Sequence, residues 1–298
     1  MKTVLLDYKN LKANTSELAI CLGFFDGVHL GHKKLIEEAR KSYKGILGVL
    51  TFDNSVSSFI KNNKSERVLT SLDDRFKIIS KLGVDFYYVM HIDKDFLSLS
   101  AEDFIDLLKK MNVKEVFVGS DYCFGKNRSG DYRLLEKHFK TTVVELLNDN
   151  NEKISTQEIV SLIESGEIKE ANRLLGHNYM VSGSVVQGKG IGRKIGFPTM
   201  NIKLATNYVY PRFGVYKTIA YLSNVPHVGI CNVGVNPTVN GKEVTIEVHL
   251  PHYEKSTYNE SISLEFLDFI RPEKKFDSLD ELKAQITKDI KEVGYDIF

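Results

Sequence analysis

Cysteine is scarce in this sequence. Cys21, Cys123 and Cys231 lie far apart, are odd in number and form no C-x-x-C pair, so neither a disulfide framework nor a structural zinc site is expected. An excess of one charge is missing too. Forty basic residues face 39 acidic ones for a net charge of +1, and bulk charge therefore calls for no nucleic-acid or membrane partner. No apolar run is long enough to span a bilayer. The opening "MKTVLLDYKNLKANTS" turns polar after its three apolar residues, which does not suit a secretory leader. Tandem repeats and low-complexity segments are also lacking. A cytoplasmic protein is the expectation, and oligomeric state leaves no mark in the sequence.

What is there is an ordinary globular composition, 42% hydrophobic and 27% charged, over 298 residues, a length that suggests two domains. Up to about residue 150, short apolar runs alternate with amphipathic stretches. "LAICLGFF", "GILGVLTFD", "DFYYVMHI", "KEVFVGSD" and "TTVVELL" read as strands. Residues 31–43, "SLDDRFKIISKLGV" and "SAEDFIDLLKKMNV" read as helices, the latter two starting at Ser71 and Ser100 as N-caps should. This alternation implies a parallel sheet with helices on its faces. Two further helical stretches, "TQEIVSLIESG" and "EIKEANRLLG", follow. Near 174–180 the pattern changes. "YMVSGSVVQG", "GVYKTIAYL", "HVGICNVG", "EVTIEVHL" and "SISLEFLDFI" are β-type runs broken by Gly, Pro and Asn, which implies a small all-β barrel or sandwich. The amphipathic "SLDELKAQITKDIKEV" closes the chain as a helix. The expected domains are 1–175 and 180–298.

Two stretches carry the chemistry. In "GFFDGVHLGH" (23–32), glycines at 23, 27 and 31 accompany His29 and His32. The stretch occupies a strand-to-helix turn, the prime ligand position of an open α/β sheet. Glycines let backbone approach a phosphate, and a helix start offers free N–H groups and positive potential. Histidines three apart face the same way and can donate to an anion that gains charge during a reaction. A zinc site needs a third ligand, and none is visible. The plain alternative is a glycine loop that happens to hold two histidines. In "GSVVQGKGIGRKIGFPTMNI" (183–202), Gly188, Gly190, Gly192 and Gly196 surround Arg193 and Lys194. Such a loop can wrap a polyphosphate, although many β-turns look like it. Thr199 and Asn201 share one face of the strand that follows, and neutral oxygen donors beside phosphates suit Mg²⁺. In "VTIEVHL", Thr245, Glu247 and His249 share a face opposite Val244, Ile246 and Val248. Glu247 is either a solvated strand residue or the carboxylate that a hydroxyl nucleophile requires.

"GFFDGVHLGHKKLI", "TFD", "VGSDYCFGKNRSGD", "KIS", "GFPTMN", "FGVYKT", "GICNVGVNPTVNG", "VTIEVHL" and "FLDFIRPEKKF" together resemble, in order and over nearly the whole chain, the bacterial two-domain riboflavin kinase/FAD synthetase family. The resemblance implies a Rossmann-like nucleotidyltransferase domain over 1–175 and a small β-barrel riboflavin kinase domain with a terminal helix over 180–298. It implies that the first domain adenylylates FMN: the FMN phosphate attacks the α-phosphate of ATP, giving FAD and pyrophosphate. Gly23, Phe25, Asp26, His29, His32, Gly119, Asp121, Phe124 and Ser155 would then bind nucleotide, with His29 and His32 steadying the phosphates in catalysis. In the barrel, ATP-dependent phosphorylation of riboflavin to FMN is implied. Gly188, Gly192, Arg193, Thr199 and Asn201 would hold nucleotide, and Thr199 and Asn201 the Mg²⁺. Glu247 would be the base for the ribityl 5′-hydroxyl, and Arg271 would brace a loop over flavin or nucleotide. Riboflavin, FMN and ATP are the expected small-molecule partners.

Two stretches depart from the family pattern. T-F-D-P-H-P reads "TFDNSV" here, and I-S-S-T-R-x-R reads I-S-T-Q-E-I-V over 154–160. Gln157, Glu158 and Val160 replace a threonine and two arginines that grip phosphate at a helix start. Losing two charged donors costs about 1.5–3 kcal/mol each, roughly a hundred- to ten-thousand-fold together. FAD synthesis is thus the weaker expectation. The competing readings are a flavin- or nucleotide-binding regulator or scaffold without turnover, and a cytidylyltransferase, which leaves the barrel unexplained.

Overall fold

The run Leu18–Leu22 is apolar at every position, and every one of its residues is at most 2% exposed. Such a strand must be covered on both faces, and this one is. A computed structural model describes residues 1–13, 15–54, 66–145, 148–149, 152–188, 190–238, 241–251, 253 and 257–294. The chain divides into two compact units, Met1–Glu66 with Leu72–Ser155, and Arg67–Ser71 with Thr156–Phe298.

The first unit holds a parallel sheet of β1 (Lys2–Leu6), β2 (Leu18–Leu22), β3 (Ile46–Phe52), β4 (Phe86–Met90), β5 (Val113–Gly119) and β6 (Lys140–Val144), in the order β1-β4-β3-β2-β5-β6. Helices α1 (Leu30–Ser42), α2 (Leu72–Ile79), α3 (Ala101–Lys110) and α4 (Tyr132–Glu136) accompany it. Alternation sends Leu18, Ile20 and Leu22 into one core with Phe104, Ile105 and Leu108 of α3. Ala19 and Cys21 go into the other, with Leu35, Ile36 and Ala39 of α1. A capping box fixes the start of α3: Ser100 Oγ accepts from Asp103 N–H, and Asp103 accepts from Ser100 N–H, which satisfies two otherwise orphaned donors. The chain runs from β2 outward through β3 to β4 and then returns to the other side of β2 as β5. The topological switch point therefore lies at the carboxyl ends of β2 and β5, where the glycine turn and Gly119 stand.

The second unit begins with α5 (Thr156–Ser165) and α6 (Ile168–Leu175). The sequence pattern puts the division near 174–180, whereas these two helices group with the barrel. Asn172 of α6 supplies a reason: its Nδ2 donates to the Phe266 carbonyl at 2.8 Å, and its Oδ1 accepts from Tyr179 N–H at 2.6 Å. Strands β7 (Tyr179–Val186), β8 (Met200–Leu204), β9 (Gly214–Leu222), β10 (Val225–Thr238), β11 (Gly241–His249) and β12 (Ser261–Pro272) close an antiparallel barrel in the order β7-β8-β11-β10-β9-β12. The all-β half is thus a barrel, not a sandwich. Alternate residues fill it, among them Tyr179, Val181, Tyr216, Cys231, Val233, Ile246, Val248, Leu264 and Phe266. Outside it, α7 (Leu279–Val293) lays Val293 and Ile290 on Val215, Val228 and Ile230.

Candidate functional site

In the first unit the backbone leaves the sheet abruptly after β2. Phe25, Gly27 and Val28 have positive φ (56°, 74° and 39°), and for the two non-glycine residues this stores strain of about 1–2 kcal/mol each. Asp26 is buried at 6% exposure. His29 is the N-cap of α1, and its Nδ1 accepts from the Gly31 N–H at 3.2 Å. Neutral His29 therefore carries its proton on Nε2. The His29 and His32 rings stack with centroids 3.7 Å apart, and the Phe25 ring meets His32 edge-on at 5.2 Å. The two histidines thus form one stacked pair at the helix start.

Gly119 ends β5, which lies beside β2 with Cys21 opposite Phe117, so the glycine turn and Gly119 share an edge. Asp121 follows in a tight turn closed by Tyr122 N–H to the Gly119 carbonyl at 3.1 Å. Phe124 is 6% exposed and packs on Phe104 and Tyr122, a core position. Ser155 directly precedes α5, and Glu158 lies in that helix's first turn. Ser55 and Val56 of "TFDNSV", Leu146 and Leu147 of "TTVVELL", Lys189 of the glycine loop, Val239 and Asn240, and the side chains of Lys153 and Lys194 lie outside the described residues.

Two features of this unit escaped the sequence pattern. Arg75, 2% exposed, donates to the Phe24 carbonyl at 2.9 Å and to Thr51 Oγ1 at 3.2 Å. His91 Nδ1 lies 2.6 Å from Asp53 Oδ2, whose other oxygen accepts from Ile92 N–H at 3.0 Å. The Asp53 hydrogen bond, helped by its charge, raises the pKa of His91. The "TFD" at 51–53 was the one sequence signal near either group.

In the second unit, β8 and β11 pair so that Asn201 stands opposite Glu247, and β10 pairs so that Asn232 stands opposite Glu247 on its other side. Thr199 Oγ1 donates to Glu247 Oε2 at 3.3 Å. Thr199, Asn201 and Glu247 therefore meet on one outer face of the barrel, while Ile246 and Val248 point inward. Glycine is required here by space. A Cβ on Gly188 would lie 2.0 Å from Asn201 Nδ2, and one on Gly192 would lie 2.3 Å from the Phe197 carbonyl and 3.3 Å from Thr199 Oγ1. The loop after Gly188 includes a single helical turn, Ile191–Lys194, entered through Gly190 at φ 69°, with Arg193 exposed. His249 Nδ1 donates to the Pro198 carbonyl at 2.8 Å, and the Phe197 ring meets the His249 ring edge-on, which anchors the G-F-P-T turn to β11. Inside the barrel, burial and then the charge of Glu247 push the Cys231 thiol well up. Arg271 is not directed at this cluster. Its guanidinium chelates Asp289 of α7, with contacts of 2.7 to 3.0 Å, and so pins the terminal helix to the barrel.

A family model described as riboflavin kinase matches residues 175–295, and one described as FAD synthetase matches residues 11–158. Among curated proteins, the chain is 36% identical to a bifunctional riboflavin kinase/FMN adenylyltransferase of Listeria monocytogenes, over 97% of this chain and 96% of that protein. It is 35% identical to the protein so described from Bacillus subtilis, over 98% and 97%. A solved structure from Streptococcus pneumoniae, titled a macrolide-efflux protein, superposes with a TM-score of 0.91 at 30% identity, covering 98% of both chains. Among the described residues of this chain, no helix is long and apolar enough to cross a membrane.

Proposed function

Because the chain belongs to the bifunctional riboflavin kinase/FMN adenylyltransferase family, we propose that its barrel phosphorylates riboflavin at Thr199, Asn201 and Glu247, and that its sheet unit takes a nucleotide at the glycine turn. The chain acts in flavin cofactor biosynthesis, and riboflavin kinase is its enzyme activity. The chemistry is ATP-dependent and of a kind that generally uses a divalent metal.

In this reading Glu247 accepts the proton of the ribityl 5′-hydroxyl as its oxygen bonds to the γ-phosphorus of ATP and the bond to ADP breaks, giving FMN. Thr199 orients the carboxylate through its 3.3 Å hydrogen bond. The glycine loop wraps the phosphates, and Gly188 and Gly192 keep it close to the site, where a Cβ would collide with Asn201 and with the Phe197 carbonyl. Mg²⁺ suits the donor set, a hydroxyl and an amide oxygen of hard, neutral character. When bound it would neutralise phosphate charge, held by Thr199 and Asn201. Arg271 supports the site at a distance, by holding α7. Riboflavin, FMN and ATP are the ligands, in the cytoplasm.

The sheet unit is read as the adenylyltransferase. His29 and His32 steady the ATP phosphates, with Gly23, Phe25, Asp26, Gly119, Asp121 and Ser155 around them. A phosphate nucleophile needs no strong base, so positioning and charge neutralisation suffice. Gln157, Glu158 and Val160 make this the slower half. The observation that carries the proposal is the pairing of Asn201 with Glu247 beneath Gly188, with Thr199, just ahead of β8, bonded to that carboxylate. Separate incubations of the purified chain with riboflavin or with FMN, each with Mg-ATP, test it. FMN from the first is expected, with little FAD from the second. No FMN would overturn the kinase assignment.

A further inference from the structure

The Phe24–Phe25 peptide faces the wrong way for a continuing strand. Gly23 donates its N–H to the Leu50 carbonyl of β3 at 3.3 Å. Backbone groups alternate direction along a strand, so the Phe24 carbonyl should point away from β3. Instead it accepts from Thr51 Oγ1 of β3 at 2.7 Å and from Arg75 Nη1 of α2 at 2.9 Å. Phe25 takes its left-handed φ of 56° as a consequence of this reversal. The clamp is dry: Thr51 is 0% and Arg75 2% exposed, and the guanidinium carbon lies 4.4 Å from the centre of the Phe24 ring. Burying a guanidinium is costly, and this one is aimed at a main-chain carbonyl of the turn.

A trans peptide is planar, with its N–H antiparallel to its C=O. Thr51 and Arg75 grip the carbonyl from the face of the sheet that carries α1 and α2, so the Phe25 N–H points to the opposite face, that of α3 and Phe124. From the end of β5, Gly119 and Asp121 lead to Tyr122 and Phe124 on that face. We propose that Arg75 is a positioning residue for nucleotide phosphate. With Thr51 it holds this peptide reversed, so that the Phe25 N–H donates to a phosphate oxygen in the crevice between β2 and β5. The proposal rests on the reading of the sheet unit as a nucleotide site. The buried guanidinium polarises the peptide it grips, and a polarised amide is a stronger donor. This counts for more in a chain with Gln157, Glu158 and Val160 where the family pattern places phosphate-gripping side chains.

The test is calorimetric titration of ATP into the full chain carrying Thr199→Ala and Asn201→Ala, which disable the barrel site. Arg75→Met in that background should weaken ATP binding about tenfold or more, as loss of one aimed, polarised donor implies. Thr51→Val should act in the same direction, and Arg75→Lys should restore part of the affinity. Circular dichroism and thermal melting of the same variants report folding of the sheet unit, and a merely structural role would lower the melting temperature without a fold-change in the ATP affinity of the folded protein. If Arg75→Met does not fold, Thr51→Val decides alone. Affinity unchanged in the folded variants overturns the proposal by itself. A parent that binds no ATP overturns the nucleotide reading of the sheet unit, and the proposal with it.

Discussion

Replacing Glu247 by glutamine removes the proton acceptor and little else. The amide keeps an oxygen that the Thr199 hydroxyl can reach, across a contact that is 3.3 Å in the native chain. Backbone pairing of Glu247 with Asn201 and Asn232 does not involve the side chain. The inward neighbours Ile246 and Val248 stay buried, so thermal stability should be close to that of the native chain. A positioned general base contributes about 10²–10⁴ in rate, or roughly 2.7–5.5 kcal/mol at ~1.36 kcal/mol per tenfold. The turnover number for FMN formation should fall by that factor while the KM for Mg-ATP stays within about threefold, because the phosphate contacts remain. Glu247→Asp withdraws the carboxylate by one methylene and should fall between the two. The assay is chromatographic quantification of FMN at saturating Mg-ATP. A Glu247→Gln turnover within about tenfold of native would refute the role of this carboxylate as base.

Gly188→Ala would set a Cβ 2.0 Å from Asn201 Nδ2. Asn201 must move, and the KM for Mg-ATP should rise about ten- to a hundredfold in steady-state kinetics, with the melting temperature nearly unchanged. Arg271→Met leaves Asp289, 3% exposed, without its cation, and the Gln285 amide at 2.8 Å is the one donor still described on it. Urea unfolding should register a loss of about 3–5 kcal/mol, while Arg271→Met with Asp289→Leu should recover most of it. The pKa of His91 is raised chiefly by its hydrogen bond to Asp53. Its folded value lies above its unfolded value, so the pairing stabilises the fold fully below about pH 6.5 and its contribution is lost as pH rises through the folded value. An NMR titration of His91 should show a midpoint above that of a free histidine, and Asp53→Asn should lower it.

The parts of the fold that were readable share a strong local signal. β2 announces itself by five consecutive apolar residues, and α3 by the serine and aspartate of its capping box. The Thr199, Asn201 and Glu247 cluster was readable in its components, because strand alternation assigns each residue a face. Their meeting depends on β8 pairing with β11, which no local pattern contains. β1 was overlooked because an edge strand of five residues with Leu5 78% exposed looks like a polar chain terminus. Arg75 was hidden for a different reason. In "SLDDRFKI", charged residues in the first turns of a helix read as a solvated face, yet Asp74 and Arg75 are buried. Only the fold of β2, β3 and α2 around the glycine turn brings that arginine to the Phe24 carbonyl. Arg271 was readable as a residue worth notice, but its partner Asp289 stands 18 positions away on α7.

The most direct measurement is product analysis after incubating the native chain and a Thr199→Ala, Asn201→Ala variant with riboflavin and Mg-ATP. The account predicts FMN from the native chain and essentially none from the variant, at equal folded content by circular dichroism. FMN formed at similar rates by both would contradict it.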